Sequence, residues 1–196
     1  ENSSADAQAA PVLAAAHAFQ IGAARDELSS TYHVEASLLA RTPNLLLVSS
    51  NGAGYDTVNV AACTAAGVLV VNQSGGNKQS VAEHVLGMML CLSKRIVETD
   101  KIMRREANMD RNAYLGTEAH GKTIGIVGLG NVGTRVAELC RGLFGMRVVA
   151  YDPFLSAEEM SRRGAEKVEL ADVMRLSDYV SINCPLTDRS RGMVGA

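Results

Sequence analysis

The sequence predicts an α/β fold built on parallel sheets, and three observations support this. Apolar runs of strand length alternate with segments of helical period along most of the chain. This strand–helix–strand order favours parallel pairing with right-handed crossovers. The composition, with 47% hydrophobic and 20% charged residues among 196, is typical of a globular domain and not of a disordered chain.

Charge and composition exclude several classes of function. The chain has 19 Lys and Arg against 21 Asp and Glu residues, a net charge of -2, so we expect no nucleic-acid or anionic-membrane partner. Its apolar runs are too short to span a bilayer. The four histidines lack metal-ligand spacing, so no metal is expected. The four cysteines form no C-x-x-C pair, which indicates reduced thiols and a cytoplasmic location.

The first 79 residues are predicted to form an α/β domain of short strands and helices. Strands are predicted at residues 17–21, 45–48 and 68–71, with part of a helix at 34–39. Asp56 is expected to cap a short helix that ends near Ala66, because its carboxylate can accept the free N–H groups of a first turn. Gly67 would then be the residue after the helix C-cap.

A long helix is predicted to begin at Ser80. Ser80 and Glu83 match the S-x-x-E capping box. Apolar residues then recur at helical spacing, at Val81, Val85, Met88, Leu92 and Ile96. We expect this helix to reach about Arg105, long enough to bridge two domains or two subunits. The predicted organisation is therefore a domain over residues 1–79, an interdomain or dimerisation helix over 80–110, and a second domain over 111–196.

The second domain repeats the strand–helix order. Strands are predicted at residues 123–127, 147–151 and 179–183, and helices at 132–143, 156–164 and 170–176. Ser156 and Glu159 form a second capping box at the start of the middle helix.

A glycine motif between the first strand and helix of this domain predicts a dinucleotide site. Residues 128–133 read G-x-G-x-x-G, and Asp152 ends the next strand. This context predicts a doubly wound, Rossmann-type sheet with NAD as the cofactor, in which Asp152 accepts hydrogen bonds from the ribose. Its carboxylate would oppose a 2′-phosphate, and Pro153 and Phe154 follow instead of an Arg, which favours NAD over NADP. The alternative is a glycine-rich turn that binds nothing.

The motifs together resemble one enzyme family. They are GKTIGIVGLGNVG at residues 121–133 with YDP at 151–153, SVAEH at 80–84, NGAGYD at 51–56 and NCPLT at 183–187. In this order they are similar to the D-isomer-specific 2-hydroxyacid dehydrogenases, the D-3-phosphoglycerate dehydrogenase superfamily, from about residue 17 to the end. The resemblance implies a Rossmann domain truncated in its C-terminal half and a partial flavodoxin-like substrate domain that lacks its first strand.

The resemblance also implies roles for individual residues. The expected substrate-binding residues are Asn51, Gly52, Ala53, Gly54 and Asn77. The expected cofactor-binding residues are Val81, Gly128, Gly130, Asn131, Val132, Gly133, Tyr151, Asp152, Pro153, Cys184, Pro185 and Thr187. Residues 51–54 would offer backbone N–H groups to the substrate carboxylate, with a plain turn as the alternative. For Asn77 and Val81 a capping or packing role is the alternative. Cys184 is expected to be a pocket wall, and His84 to be structural.

The function implied is NAD-dependent oxidation of the CH–OH group of a small D-2-hydroxy acid, in a homodimer. The family's catalytic Arg, Glu and His match positions beyond Ala196, so no catalytic residue is expected in this chain and it is expected to be inactive alone. Two alternatives stay open: a non-catalytic NAD(H)-responsive module of the corepressor type, and an inactive fragment of the dehydrogenase.

Overall fold

The protein is described by a computed structural model over residues 3–195, which forms two compact units, Glu1–Asn77 and Lys78–Ala196. Each unit contains a parallel β-sheet with helices, which confirms the predicted α/β class. The division falls between Asn77 and Lys78, two residues before the position expected from the sequence. The segment expected to form a separate connecting helix belongs to the second unit.

The first unit is built on a three-stranded sheet of order β1-β2-β3. Its elements are α1 (Ser3–Ala15), β1 (Ala18–Gly22), α2 (Ala36–Leu39), β2 (Leu47–Asn51), α3 (Val60–Ala65) and β3 (Leu69–Val71), with 3-10 turns at Arg25–Glu27 and Ser30–Tyr32. Val34, Leu38, Val48 and Cys63 are almost completely buried in its core. The helix α1 was not predicted, and β2 begins two residues later than expected.

The helix predicted to be capped by Asp56 is capped by Asn59 instead. Val34 and Val58 form an isolated parallel bridge, so the chain is still extended at Val58. The helix α3 therefore begins only at Val60, and the Asn59 side chain accepts a hydrogen bond of 3.0 Å from the N–H of Ala62. The same bridge delays α2 to Ala36, because Val34 is paired rather than helical. Gly67, at φ 70°, follows α3 as expected.

The second unit is a four-stranded sheet of order β6-β5-β4-β7, with every pair parallel. Its elements are α4 (Lys78–Ser93), α5 (Ile96–Met103), β4 (Thr123–Val127), α6 (Asn131–Phe144), β5 (Arg147–Tyr151), α7 (Ala157–Arg162), β6 (Glu166–Lys167), α8 (Leu170–Leu176) and β7 (Tyr179–Ile182), with a 3-10 turn at Arg111–Tyr114. This is the Rossmann-type arrangement expected from the glycine motif. The two-residue strand β6 was not predicted.

The prediction of a single helix from Ser80 to Arg105 is wrong, because two helices, α4 and α5, occupy this segment. The first begins at Lys78, so Ser80 lies inside it and caps nothing, while Glu83 accepts a hydrogen bond from Gln79 one turn earlier. The break occurs at Arg95, which has a left-handed backbone at φ 53°. Its guanidinium binds the carbonyl oxygen of Ala113 at 2.7 Å and lies over the Tyr114 ring.

Ser156 is the N-cap of α7 as predicted, but the Glu159 carboxylate pairs with Arg162 and Arg163 instead of completing the capping box. The Ser156 hydroxyl accepts a hydrogen bond of 3.2 Å from the N–H of Glu159, and the helix ends at Arg162, close to Gly164. Across residues 3–195, no helix combines the length and apolar character needed to span a membrane.

Candidate functional site

The glycine-rich loop connects the carboxyl end of β4 to α6. Gly128 leaves the strand at φ 89°, and its N–H binds the carbonyl oxygen of Tyr151 at 2.9 Å. A Cβ on Gly133 would collide with the Gly128 carbonyl oxygen, so this glycine allows α6 to pack directly on the strand. A Cβ on Gly130 would meet no atom within 4 Å, so the loop exposes bare backbone there. A close approach by a pyrophosphate needs such backbone.

The carboxylate of Asp152 lies directly beside this loop. Its Oδ2 accepts a hydrogen bond of 3.0 Å from the N–H of Leu129, and its Oδ1 accepts one of 3.0 Å from Phe154. Each carboxylate oxygen can accept more than one hydrogen bond, so both retain capacity for hydroxyl donors. The helix α6 adds the partial positive charge and the N–H donors of its first turn. Bare backbone, helix terminus and carboxylate together fit a dinucleotide.

A groove of about 650 Å³ lies along the carboxyl ends of the strands of this unit. Eight of the predicted cofactor residues line it: Gly128, Gly130, Tyr151, Asp152, Pro153, Cys184, Pro185 and Thr187. Three others, Asn131, Val132 and Gly133, form the first turn of α6 and do not line the groove. Ligand sites of open parallel sheets occur at this edge.

The groove also contains residues that sequence reasoning missed. Phe154, Arg189 and Met193 line it, and the Phe154 side chain is 79% exposed. The position of Phe154 directly after the D-P motif was a signal for its place. Nothing local indicated Met193.

The loop 51–54 lies at the carboxyl end of β2 in the first unit. The Ser50 hydroxyl donates to the Gly54 carbonyl at 2.5 Å. The carbonyl oxygens of Gly52 and Ala53 accept hydrogen bonds of 2.8 Å from the Gln73 N–H and the Asn72 side chain. Since a trans peptide group places its C=O and N–H on opposite sides, the N–H groups of Ala53 and Gly54 point away from these partners.

Asn72 and Gln73 therefore hold the loop 51–54 in place, and no sequence motif singled them out. Besides the backbone contact, the Gln73 side chain donates to Asn51 Oδ1 at 3.4 Å. Both residues directly follow β3, and polar residues at the carboxyl end of a parallel strand were the available signal.

Three other residues singled out from the sequence, Asn77, Val81 and His84, are not among those that line the groove. Asn77 is exposed and ends the first unit. Val81 is half-buried and His84 is exposed, both on α4.

No group of three or more His, Cys, Asp or Glu residues that could hold a metal ion occurs within residues 3–195. Among the thiols, Cys63 and Cys140 are buried in the two cores, and burial raises the pKa of both, that of Cys140 to about 11. Such thiols are poor nucleophiles at neutral pH. Cys184 is only partly buried and lines the groove.

Comparison with known families agrees with this geometry. The model described as "D-isomer specific 2-hydroxyacid dehydrogenase, NAD binding domain" matches residues 86–196, more than half of the chain. The chain belongs to the D-isomer specific 2-hydroxyacid dehydrogenase family. The resemblance noted from the sequence is thereby confirmed, and so is NAD as the cofactor of this dehydrogenase domain.

The chain of this dehydrogenase family member is similar to parts of longer curated proteins. It is 41% identical over 161 residues to D-3-phosphoglycerate dehydrogenase of Mycobacterium tuberculosis, covering 82% of this chain and 30% of that protein. The enzyme of the same name from Archaeoglobus fulgidus is 36% identical over 162 residues, 83% of this chain and 30% of that protein. The chain thus spans about a third of the length of these relatives.

Solved structures of the family share the fold. D-lactate dehydrogenase from Aquifex aeolicus, in complex with NAD and lactic acid, superposes with a TM-score of 0.78 at 27% identity over 92% of this chain and 52% of that one. NAD-dependent formate dehydrogenase from Staphylococcus aureus, in complex with NAD, has a TM-score of 0.76 at 25% identity, covering 95% of this chain and 54% of that one.

Proposed function

We propose that the complete protein is an NAD-dependent oxidoreductase that acts on the CH–OH group of a small D-2-hydroxy acid. The reverse direction reduces the corresponding 2-oxo acid. The observation that carries this proposal is the juxtaposition of the Gly130 backbone and the Asp152 carboxylate in one groove, within a family of 2-hydroxyacid dehydrogenases.

The chain's own residues are assigned to binding. The Asp152 carboxylate accepts hydrogen bonds from the adenosine ribose, and the N-terminus of α6 stabilises the pyrophosphate. The N–H groups of Ala53 and Gly54 are oriented to bind a carboxylate of the substrate, because the carbonyl oxygens of Gly52 and Ala53 are held on the opposite side. Bound NAD supplies the chemistry of hydride exchange with C2 of the acid.

The proton on the substrate oxygen needs a separate acid–base group. We assign no residue of the 196 to that role. In the complete protein we expect the catalytic Arg, Glu and His at positions that follow Ala196. The chain alone is therefore expected to bind NAD without turnover.

The position of the Asp152 carboxylate favours NAD over NADP. A 2′-phosphate would meet the Asp152 carboxylate, and Pro153 and Phe154 follow it in place of a basic residue. Fluorescence titration of the chain with NADH and NADPH tests this, and tighter binding of NADPH would overturn it.

The decisive experiment uses the complete protein and NADH. Oxidation of NADH is followed with glyoxylate, hydroxypyruvate and phenylpyruvate, and reduction of NAD with 3-phosphoglycerate. We expect turnover with at least one of these acids. Binding of NADH without turnover of any acid would contradict the enzymatic proposal and favour the NAD-responsive binding module.

We further propose that the complete protein is a homodimer that uses the apolar surface of α4 and α5. Met88 and Leu92 lie one turn apart on α4 and are 50% and 74% exposed, and Ile96 on α5 is 48% exposed. Apolar side chains clustered on an accessible face commonly mark an interface. Light scattering is expected to give a dimer for the complete protein and a monomer for Leu92→Glu, while Leu143→Glu on α6 is the control. A monomeric wild type would contradict the proposal.

A reducing compartment, the cytoplasm, is proposed because all four cysteines are free thiols. Alkylation of the protein in rapidly quenched cells, followed by mass measurement, is expected to label all four after denaturation. A disulfide recovered from the cells would contradict this location.

A further inference from the structure

Leu129 lies in the glycine-rich loop, and the two peptide groups that flank it are held by hydrogen bonds to different partners. Its N–H donates to Asp152 Oδ2 at 3.0 Å, and its carbonyl oxygen accepts a hydrogen bond of 2.7 Å from Nη1 of Arg163. The Thr134 hydroxyl donates to the same carbonyl oxygen at 3.2 Å. The Leu129 side chain is completely buried, so this loop residue is anchored by its backbone and by its side chain.

Arg163 is itself fixed. Its Nε donates to Glu159 Oε1 at 2.9 Å, and the Arg163 side chain is 31% exposed. The backbone of Glu159 is held in turn, because its N–H donates to the Ser156 hydroxyl at the start of α7. The guanidinium therefore bridges α7 and the glycine-rich loop, with one nitrogen directed to each.

The direction of the Leu129 carbonyl determines the direction of the next N–H. The carbonyl of Leu129 and the N–H of Gly130 belong to the same planar trans peptide group and point to opposite sides. When Arg163 holds the carbonyl oxygen, the Gly130 N–H is turned away from Arg163. Gly130 lines the groove and has open space beside its Cα.

We propose that Arg163 is a positioning residue for the cofactor pyrophosphate, acting through the Leu129–Gly130 peptide group. Arg163 is not among the residues that line the groove, and it fixes the orientation of the N–H of Gly130, which does line it. The proposal rests on the proposed NAD site in this groove.

The neighbouring Arg162 provides a matched control. Arg162 also pairs with Glu159, but its side chain is 76% exposed. Arg163 is the member of the pair that bonds the Leu129 carbonyl. Replacing either residue removes one positive charge and one partner of Glu159 from the same end of α7, and the two variants differ in the burial of the side chain and in the contact with the loop.

The test uses the 196-residue chain and three ligands: NADH, ADP-ribose and adenosine. Only the first two contain a pyrophosphate. For Arg163→Met we expect at least tenfold weaker binding of NADH and ADP-ribose, with adenosine affinity unchanged. Arg163→Lys keeps a charged donor on a similar stem and is expected to recover part of the loss. Arg162→Met is expected to bind all three ligands as the wild type does.

The outcomes separate this inference from the function on which it rests. A wild-type chain that binds neither NADH nor ADP-ribose would contradict the proposed NAD site. If the wild type binds and Arg163→Met binds equally well, or loses adenosine in the same proportion, the positioning role is wrong. If Arg163→Met does not fold, Arg163→Lys decides: wild-type ADP-ribose affinity overturns the role, and a selective three- to tenfold loss supports it.

Discussion

Replacing Gly130 by alanine is expected to separate cofactor binding from folding. Gly130 has φ -76° and ψ -151°, and a Cβ there meets no atom within 4 Å. The free energy of unfolding should therefore change by less than about 0.5 kcal/mol, as is usual for a surface substitution without new contacts. The same open space is where the loop backbone faces the groove, so the methyl group would press against a bound pyrophosphate.

The expected loss of affinity follows from the cost of that contact. Forcing one additional methyl group into a filled site costs about 1–3 kcal/mol. At about 1.4 kcal/mol per factor of ten, this is a roughly 5- to 150-fold increase in the dissociation constant for NADH. The chain contains no tryptophan, so NADH fluorescence can be titrated without indole emission. Urea unfolding followed by circular dichroism measures stability in parallel.

Two glycines of α6 provide the controls. Gly142 also has no neighbour within 4 Å of an added Cβ, and alanine there should stabilise the helix by about 0.5–1 kcal/mol without changing NADH affinity. A Cβ on Gly133 would collide with the Gly128 carbonyl oxygen, so Gly133→Ala should lower stability by about 1–3 kcal/mol. Wild-type NADH affinity in Gly130→Ala, or an equal loss in Gly142→Ala, would refute the reasoning.

Three further predictions concern ionisable groups of the second unit. Asp152→Asn should weaken NADH binding about tenfold, because charge-assisted hydrogen bonds to the ribose are lost. The same variant should show a smaller preference for NADH over NADPH. An unchanged ratio of the two dissociation constants would contradict this. Burial raises the pKa of Cys140 from its ordinary value of 9.0 to about 11, so the unfolded chain ionises first. The Cys140 contribution to stability should be constant below about pH 9 and fall by roughly 2–3 kcal/mol as the pH rises to about 11. Urea unfolding of Cys140→Ala over the same pH range should therefore show a smaller decline than the wild type, and parallel curves for the two proteins would count against this reasoning. A hydrogen bond of 2.9 Å from the Thr123 N–H and an ion pair of 3.3 Å with Lys122 lower the pKa of Asp178. Because the Asp178 side chain is 40% exposed, Asp178→Asn should cost only about 0.5–1 kcal/mol at neutral pH. That difference should disappear as the pH falls through the lowered pKa, and a cost that persists in acid would exclude the charge as its cause.

Much of the second unit could be predicted from the sequence. The bounds of β4, β5 and α8 agree with the expected ranges, and α6 differs by one residue at each end. These elements have strong local signals: apolar strands, glycines at the turn and a helical period. The connecting segment was different, since its helical period continues through Arg95 with no glycine or proline at the break; Gly87 lies two turns earlier, inside α4. The break is stabilised by contacts of Arg95 with Ala113 and Tyr114, which no local pattern contains.

The sequence by itself determined the order of β4, the glycine-rich loop, α6, β5 and Asp152, because each depends on residues close together in the chain. Only the tertiary structure decided which groups hold that loop and which complete its groove. Arg163 reaches the Leu129 carbonyl across 34 positions of sequence, and Met193 lines the same groove as Gly128. The physical reason is that hydrogen bonds and groove walls of this kind form between segments brought together by sheet packing, so their partners have no fixed spacing along the chain.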